Sequence, residues 1–165
     1  MSAGFSEQDV AFMQRAMVLA REGEQLGEVP VGAVLVREGE VIGEGFNAPI
    51  SRQDPTAHAE VMALRDAAAS AGNYRLDNTT LYVTLEPCTM CVGALVHARV
   101  ARVVFAATEP KAGSLVSARR QLDNGYYNHV FQFQGGLLAE EAGTMLSDFF
   151  RRRRAAQKSV NGNEP

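Results

Sequence analysis

Cysteine is scarce in this chain of 165 residues, with only Cys88 and Cys91 present. Two thiols leave no disulfide framework, which fits a reducing compartment. Long apolar runs are missing as well: no segment approaches the ~18 uninterrupted apolar residues of a membrane-spanning helix. Met1-Ser2-Ala3-Gly4 lacks the basic and apolar regions of a signal peptide, so a cytoplasmic location is expected. Net positive charge is also absent. The formal charge is −3, which argues against a generic nucleic-acid binder. The chain has no internal repeat or low-complexity tract, and nothing marks a second domain.

What is present is an ordinary globular composition, 46% hydrophobic and 21% charged, in a length that buries roughly 70% of its unfolded surface. One domain is expected over residues 1–158, with a polar, disordered tail over 159–165. The charge is unevenly spread. From Asp148 to Pro165 four arginines and one lysine stand against two acids, about +3, which leaves about −6 for the rest. Basic character is concentrated at the C-terminal end.

The two cysteines stand in Glu86-Pro87-Cys88-Thr89-Met90-Cys91, directly after a strand-like run from Leu81 to Leu85. Proline favours the first helical position, and residues i and i+3 are neighbours on a helix. Both sulfurs are therefore expected on one side of a helix N-terminus, where free N–H groups and the helix dipole favour the thiolate that binds metal. A third ligand, His58, stands upstream in Pro55-Thr56-Ala57-His58-Ala59-Glu60. A structural zinc site closes with four protein ligands, whereas a catalytic one supplies three and leaves the fourth position to water. His58, Cys88 and Cys91 make three, and Glu60 is placed to handle protons. On an ideal helix positions i and i+2 diverge, so His58 and Glu60 can converge only where a pocket wraps around a helix end. A redox pair, a reducible disulfide or two buried thiols would explain the cysteines, but not the His-x-Glu. A closed structural site would need His97 or His129 as a fourth ligand, and both read more simply as packed or half-exposed histidines.

The remaining chain reads as alternating elements. Ser6-Glu7-Gln8-Asp9 starts a helix, with Phe5 and Val10 as a hydrophobic staple and Val10, Met13, Met17 and Ala20 at helical spacing. Val31–Val36 and Val41–Phe46 read as antiparallel strands joined by a tight turn. Asn47 and a polar loop, 48–55, lead to a helix from His58 to Ala71. The strand 79–85 feeds a cysteine helix ending near His97, and 101–106 reads as a central strand. This order is the α/β pattern, with the ligands at helix N-termini after strand ends. Residues 108–128 have no period and read as a long loop, functional or mobile. A fifth strand is expected over 129–133, then a helix from Leu137 to about Gln157.

The two ligand segments match the signature of the zinc-dependent nucleobase deaminases, a group whose parts general accounts of base-flipping enzymes describe. That signature is shared by cytidine, deoxycytidylate, guanine, riboflavin-precursor and tRNA deaminases. The runs Glu28-Val29-Pro30-Val31-Gly32-Ala33, Leu81-Tyr82-Val83-Thr84-Leu85-Glu86-Pro87-Cys88 and Leu146-Ser147-Asp148-Phe149-Phe150 further resemble the bacterial tRNA adenosine deaminases. The resemblance implies a three-layer cytidine-deaminase-like α/β fold, a mixed five-stranded sheet with helices on both faces. It also implies one zinc per subunit on His58, Cys88 and Cys91, with Glu60 as catalytic acid and base. The activity implied is hydrolytic conversion of adenosine to inosine at the wobble position of an arginine tRNA, releasing ammonia, by a homodimer. By the same resemblance Val31 and Asn47 face the nucleoside. Glu109 and Lys111 lie beside the RNA, with Glu109 one methylene longer than the aspartate usual there. Phe149, Phe150, Arg151 and Arg153 supply base-stacking rings and phosphate-binding guanidinium groups. The rival readings are a free nucleobase or nucleoside deaminase of cytidine or guanine type, and a non-enzymatic, zinc-stabilised RNA-binding module.

Overall fold

Gly32–Arg37 (β1), Glu40–Phe46 (β2), Thr80–Leu85 (β3), Arg102–Ala107 (β4) and Gln132–Gly135 (β5) form one mixed sheet in the order β2-β1-β3-β4-β5. The structure is a computed structural model and describes residues 4–162. β1 runs antiparallel to both β2 and β3, while β3, β4 and β5 are parallel. The side chains alternate across the strands, so each strand feeds two cores. Ala33, Leu35, Leu81, Val83, Val103 and Phe105 face one layer of helices. Val34, Val36, Tyr82, Val104 and Ala106 face the other.

The first core is covered by Ala59–Ala71 (α3) and Thr89–Ala98 (α4), the second by Glu7–Gln25 (α1) and Ala139–Asn161 (α5). This is the three-layer α/β arrangement expected, with β4 buried on both faces between β3 and β5. α1 starts as its sequence indicates: Ser6 Oγ accepts the Asp9 N–H, and the Asp9 carboxylate accepts the Ser6 N–H. Asp9 does more than cap. It also takes the Tyr82 hydroxyl at 2.6 Å and both Arg102 terminal nitrogens, which ties α1 to β3 and β4. Burial would raise the Asp9 carboxyl, but these bonds outweigh it and hold the pKa at about 2.

Several boundaries move from those expected. A short helix, Pro49–Arg52 (α2), forms within the polar loop, because the buried Glu28 carboxylate accepts the Ile50 and Ser51 N–H groups at its N-terminus. The fifth strand is shifted three residues, to Gln132–Gly135, since His129 is held outside the sheet by its ring nitrogen on the Val100 carbonyl at 2.7 Å. α5 extends past Gln157 to Asn161. Ala155, Ala156, Gln157 and Lys158 are good helix formers, and nothing breaks the run before Gly162. The disordered tail expected over 159–165 is therefore helical as far as Asn161, and residues 163–165 lie outside those described. Between β4 and β5 the chain is irregular except for one 3-10 turn, Gln121–Asn124.

Candidate active site

Two helix N-termini converge at the C-terminal ends of the central strands. His58 is the N-cap of α3 and Cys88 the N-cap of α4, each in extended conformation. Pro87 therefore precedes the cap and does not occupy the first helical position expected for it. Cys91 still stands at the third helical position and faces Cys88, as a capping-box partner would. The extended backbone at His58 also resolves the i, i+2 problem. The helix begins only after the histidine, so the Glu60 side chain turns back toward the same space.

His58 Nδ1 lies 3.6 Å from Cys88 Sγ and 3.5 Å from Cys91 Sγ. A zinc ion with Zn–N near 2.0–2.1 Å and Zn–S near 2.3 Å has N···S tetrahedral edges of about 3.6 Å, so both distances fit the ion. The three ligand atoms lie within 4.8 Å of one another and are the one such group of ligating side chains among the described residues. His97 is exposed and His129 is committed to Val100, so neither closes the site. Three ligands and no fourth is the composition of a catalytic centre.

The electrostatics favour metal and acid–base chemistry together. The Cys91 thiol, donating to Cys88, lowers the Cys88 thiol to about 4, with His58 assisting. Cys91 is pushed up, first by that same bond and then by burial. The hydrogen bond to Cys88 also raises His58. Cys91 and His58 thus hold protons more firmly than usual beside the Cys88 thiolate, and metal binding would release them. Glu60 is 4% exposed, and burial lifts its carboxyl to about 6, close to working pH for a proton carrier.

Asn47 lies against the N-terminus of α3. The Ala59 N–H, at the first helical position, has no intrahelical acceptor, and Asn47 Oδ1 takes it at 2.9 Å. With its oxygen committed to the helix, the Asn47 amide presents only N–H donors. Its own backbone N–H bonds the carbonyl of buried Val31, so these two residues sit together beside α3.

The other expected contacts lie on two separate elements. Glu109 Oε1 accepts the N–H of exposed Lys111, in the loop after β4. On α5, Phe149 is buried and packs edge-on against exposed Phe150. Arg153 lies over the Phe149 ring, Arg151 pairs with Asp148, and Arg152 pairs with Glu24 of α1. Among the described residues no hydrogen bond or ion pair links this α5 group to the ligand cluster.

Two buried glutamates carry structure that the sequence reading assigned to no role. Glu28 holds α2 and the loop after Asn47 through Ile50 and both Ser51 donors. Glu86 accepts the N–H groups of Glu109, Leu115, Val116 and Ser117, and the Ser117 hydroxyl. Burial acts to raise both carboxyls, but the donors outweigh it and lower them. The available signal was a glutamate one or two residues before a proline at the edge of an apolar run, in Glu28-Val29-Pro30 and Glu86-Pro87.

A model of the cytidine and deoxycytidylate deaminase zinc-binding region matches residues 6–107, from the α1 cap to the end of β4. The chain belongs to that family. Its deaminase signature is the cluster just described, His58-x-Glu60 and Pro87-Cys88-x-x-Cys91. Among curated relatives, a tRNA-specific adenosine deaminase of Haemophilus influenzae is 51% identical over 93% of this chain and 89% of its own length. One from Bacillus subtilis is 44% identical over 94% of this chain and 97% of its own. A solved structure from work on A-to-I editing at the wobble position of transfer RNA superposes with a TM-score of 0.80 at 40% identity, over 82% of this chain and 99% of that one. The mixed sheet and its helices are those of this deaminase fold. Among the described residues no helix is long and apolar enough to cross a membrane.

Proposed function

We infer that this protein deaminates adenosine to inosine at the wobble position of a tRNA anticodon, in an arginine tRNA, as a homodimer with one zinc ion per subunit. The observation that carries the reading is the convergence of His58 Nδ1, Cys88 Sγ and Cys91 Sγ beside the buried carboxylate of Glu60, in a chain half-identical to a tRNA-specific adenosine deaminase. Zinc held by those three side chains supplies hydroxide at neutral pH, by lowering the pKa of a coordinated water from about 15.7 toward 7.

The chain's own residues do the rest. Glu60 accepts the proton of the attacking water and delivers it to N1 of the adenine ring, which makes C6 electrophilic. After attack at C6, Glu60 takes the second proton, from the new C6 hydroxyl, and passes it to the amino group, which leaves as ammonia as the C6 carbonyl forms. Burial, which raises the Glu60 carboxyl, favours its holding the proton between the two transfers. The Asn47 amide, its oxygen fixed by Ala59, offers its N–H groups to acceptors of the nucleoside, and Val31 forms apolar wall. A wobble base in a loop is unpaired, so turning it into the pocket costs less than extruding a paired one. Glu109, Lys111, Phe150 and the α5 arginines hold the surrounding RNA, with Phe149 as the buried support for Phe150 and Arg153.

The test is inosine formation on an unmodified arginine-tRNA anticodon stem-loop, with free adenosine and cytidine alongside. Inosine from the stem-loop alone is expected. Ammonia from a free nucleoside alone would leave the deaminase chemistry standing and overturn the RNA substrate.

A further inference from the structure

We propose that Glu86 is a positioning residue: it tethers the loop from Glu109 to Ser117 to the metal-ligand turn and thereby sets the affinity for RNA. The inference rests on the function proposed above, since that loop carries Glu109 and Lys111.

Glu86 is 2% exposed, and its carboxylate takes five donors from a single loop. Oε2 accepts the N–H groups of Leu115 at 3.1 Å, Val116 at 2.8 Å and Ser117 at 3.0 Å. Oε1 accepts the Glu109 N–H at 3.1 Å and the Ser117 hydroxyl. Among the described residues Glu86 forms no ion pair, so its charge is balanced entirely by these neutral donors. Three consecutive N–H groups aimed at one oxygen form an anion-binding concavity, and the carboxylate holds the backbone in that curl. Gly113 lets the loop close over it: a β-carbon there would lie 2.4 Å from Glu86 Cδ.

The same junction is sewn on both sides of the carboxylate. The Ser114 N–H bonds the Pro87 carbonyl at 2.8 Å, and the Thr89 and Ser114 hydroxyls lie 2.9 Å apart. Glu86 precedes Pro87 and Cys88, and the Pro87 ring fixes φ between them. The loop is therefore referenced to a metal ligand two residues away, and RNA held by Lys111 is registered against the pocket. The family resemblance implies RNA contacts on this loop but no means of holding a long irregular segment in one conformation. Glu86 is that means.

The zinc-loaded full chain is tested as Glu86→Gln and, separately, as Gly113→Ala, with three readouts. Hydrogen exchange at the Leu115, Val116 and Ser117 amides should quicken about tenfold or more in either variant, with α3 and α4 amides unchanged. Zinc content should hold at the wild-type level. On the anticodon stem-loop KM should rise about tenfold with kcat within about twofold, and the double variant should be no worse than the poorer single one. Wild-type exchange in the loop would overturn the tether, and so would loss of kcat at unchanged KM. If Glu86→Gln does not fold, Gly113→Ala decides, because it displaces the loop with the carboxylate intact. Failure of the functional reading shows separately: a wild-type protein that forms no inosine on the stem-loop overturns the RNA half, while exchange alone decides the tether.

Discussion

Gly45 of β2 lies so close under the first turn of α3 that a β-carbon there would sit 2.6 Å from the Ala59 carbonyl oxygen and 2.6 Å from the Ala63 nitrogen. Ordinary contact begins at about 3.4 Å, so Gly45→Ala must separate strand and helix by ~0.8 Å. Neither neighbour is the tip of a flexible side chain that could swing away. Overpacking of this kind costs ~1–3 kcal/mol, and at ~2–4 °C per kcal/mol for a domain of this size Tm should fall by about 5 °C. The displacement is delivered where it matters most, because Ala59 stands between the ligand His58 and the acid Glu60. A misplacement approaching 1 Å costs up to ~100-fold in rate, so kcat should fall about 10- to 100-fold, more than the stability loss alone explains. Gly143→Ala in α5 is the control. A β-carbon there meets nothing within 4 Å, and removing a helix-interior glycine should raise stability by ~1 kcal/mol. Calorimetric Tm and deamination kcat on both variants decide the matter. A Gly45→Ala protein that melts and turns over like wild type refutes the close-approach argument, as does a Gly143→Ala protein equally destabilised.

Glu60→Gln should retain zinc and lose turnover by at least ~100-fold, read as metal content beside ammonia release; near-normal turnover would exclude the proton path through Glu60. Asn47→Ala should lose both its cap and its donor, lowering stability by ~1 kcal/mol, whereas Asn47→Asp keeps an acceptor for Ala59 and should lose activity at nearly unchanged Tm. Equal Tm losses in the two would remove the distinction. Asp9 has a folded pKa of about 2 against about 3.9 for a free aspartate, so it contributes about 2 kcal/mol that is fully present above pH ~4 and lost as pH falls toward 2. Urea titrations over that range should show Asp9→Asn with a flatter acid limb, and an unaltered limb would assign the acid sensitivity elsewhere. Arg151→Ala and Arg153→Ala should each weaken stem-loop binding and reduce the slope of log K against log salt by about 0.7. An unchanged slope would return these arginines to their intramolecular partners Asp148 and Phe149.

The cluster of His58, Cys88 and Cys91 was legible because its chemistry is written in local spacing. Cys88 and Cys91 had to share a helix end, and a histidine two residues before a glutamate had few other uses. The sheet was legible because the apolar strands alternate with helical segments. What stayed hidden depends on partners far away in sequence. Nothing local to Glu86 says that its carboxylate meets residues 23 to 31 positions later. Nothing local to Asn47 says that its oxygen belongs to a helix beginning at Ala59. The α2 turn was missed for the same reason, since its donors are satisfied by Glu28, 22 residues earlier. Phe149 and Phe150 are adjacent and identical in type, and only the packing of α5 on the sheet decides that Phe149 is buried and Phe150 exposed.

These hidden contacts have one origin. A helix N-terminus needs acceptors for its free N–H groups, and the residue placed to supply one is the N-cap. Here both N-caps, His58 and Cys88, belong to the His-Cys-Cys cluster, and neither makes a side-chain cap bond. For α3 the acceptor of the Ala59 N–H comes from Asn47, which fixes the orientation of that amide. The loops that flank the site have the same need, and the chain meets it with buried carboxylates, Glu28 for α2 and Glu86 for the segment after β4. The polar groups that satisfy the backbone around the cluster are thus drawn from elsewhere in the chain, Asn47 at α3, Glu28 at α2 and Glu86 in the segment after β4. A change at Glu28 or Glu86 therefore acts first on the segment its carboxylate holds, and only through that segment on the surroundings of the cluster.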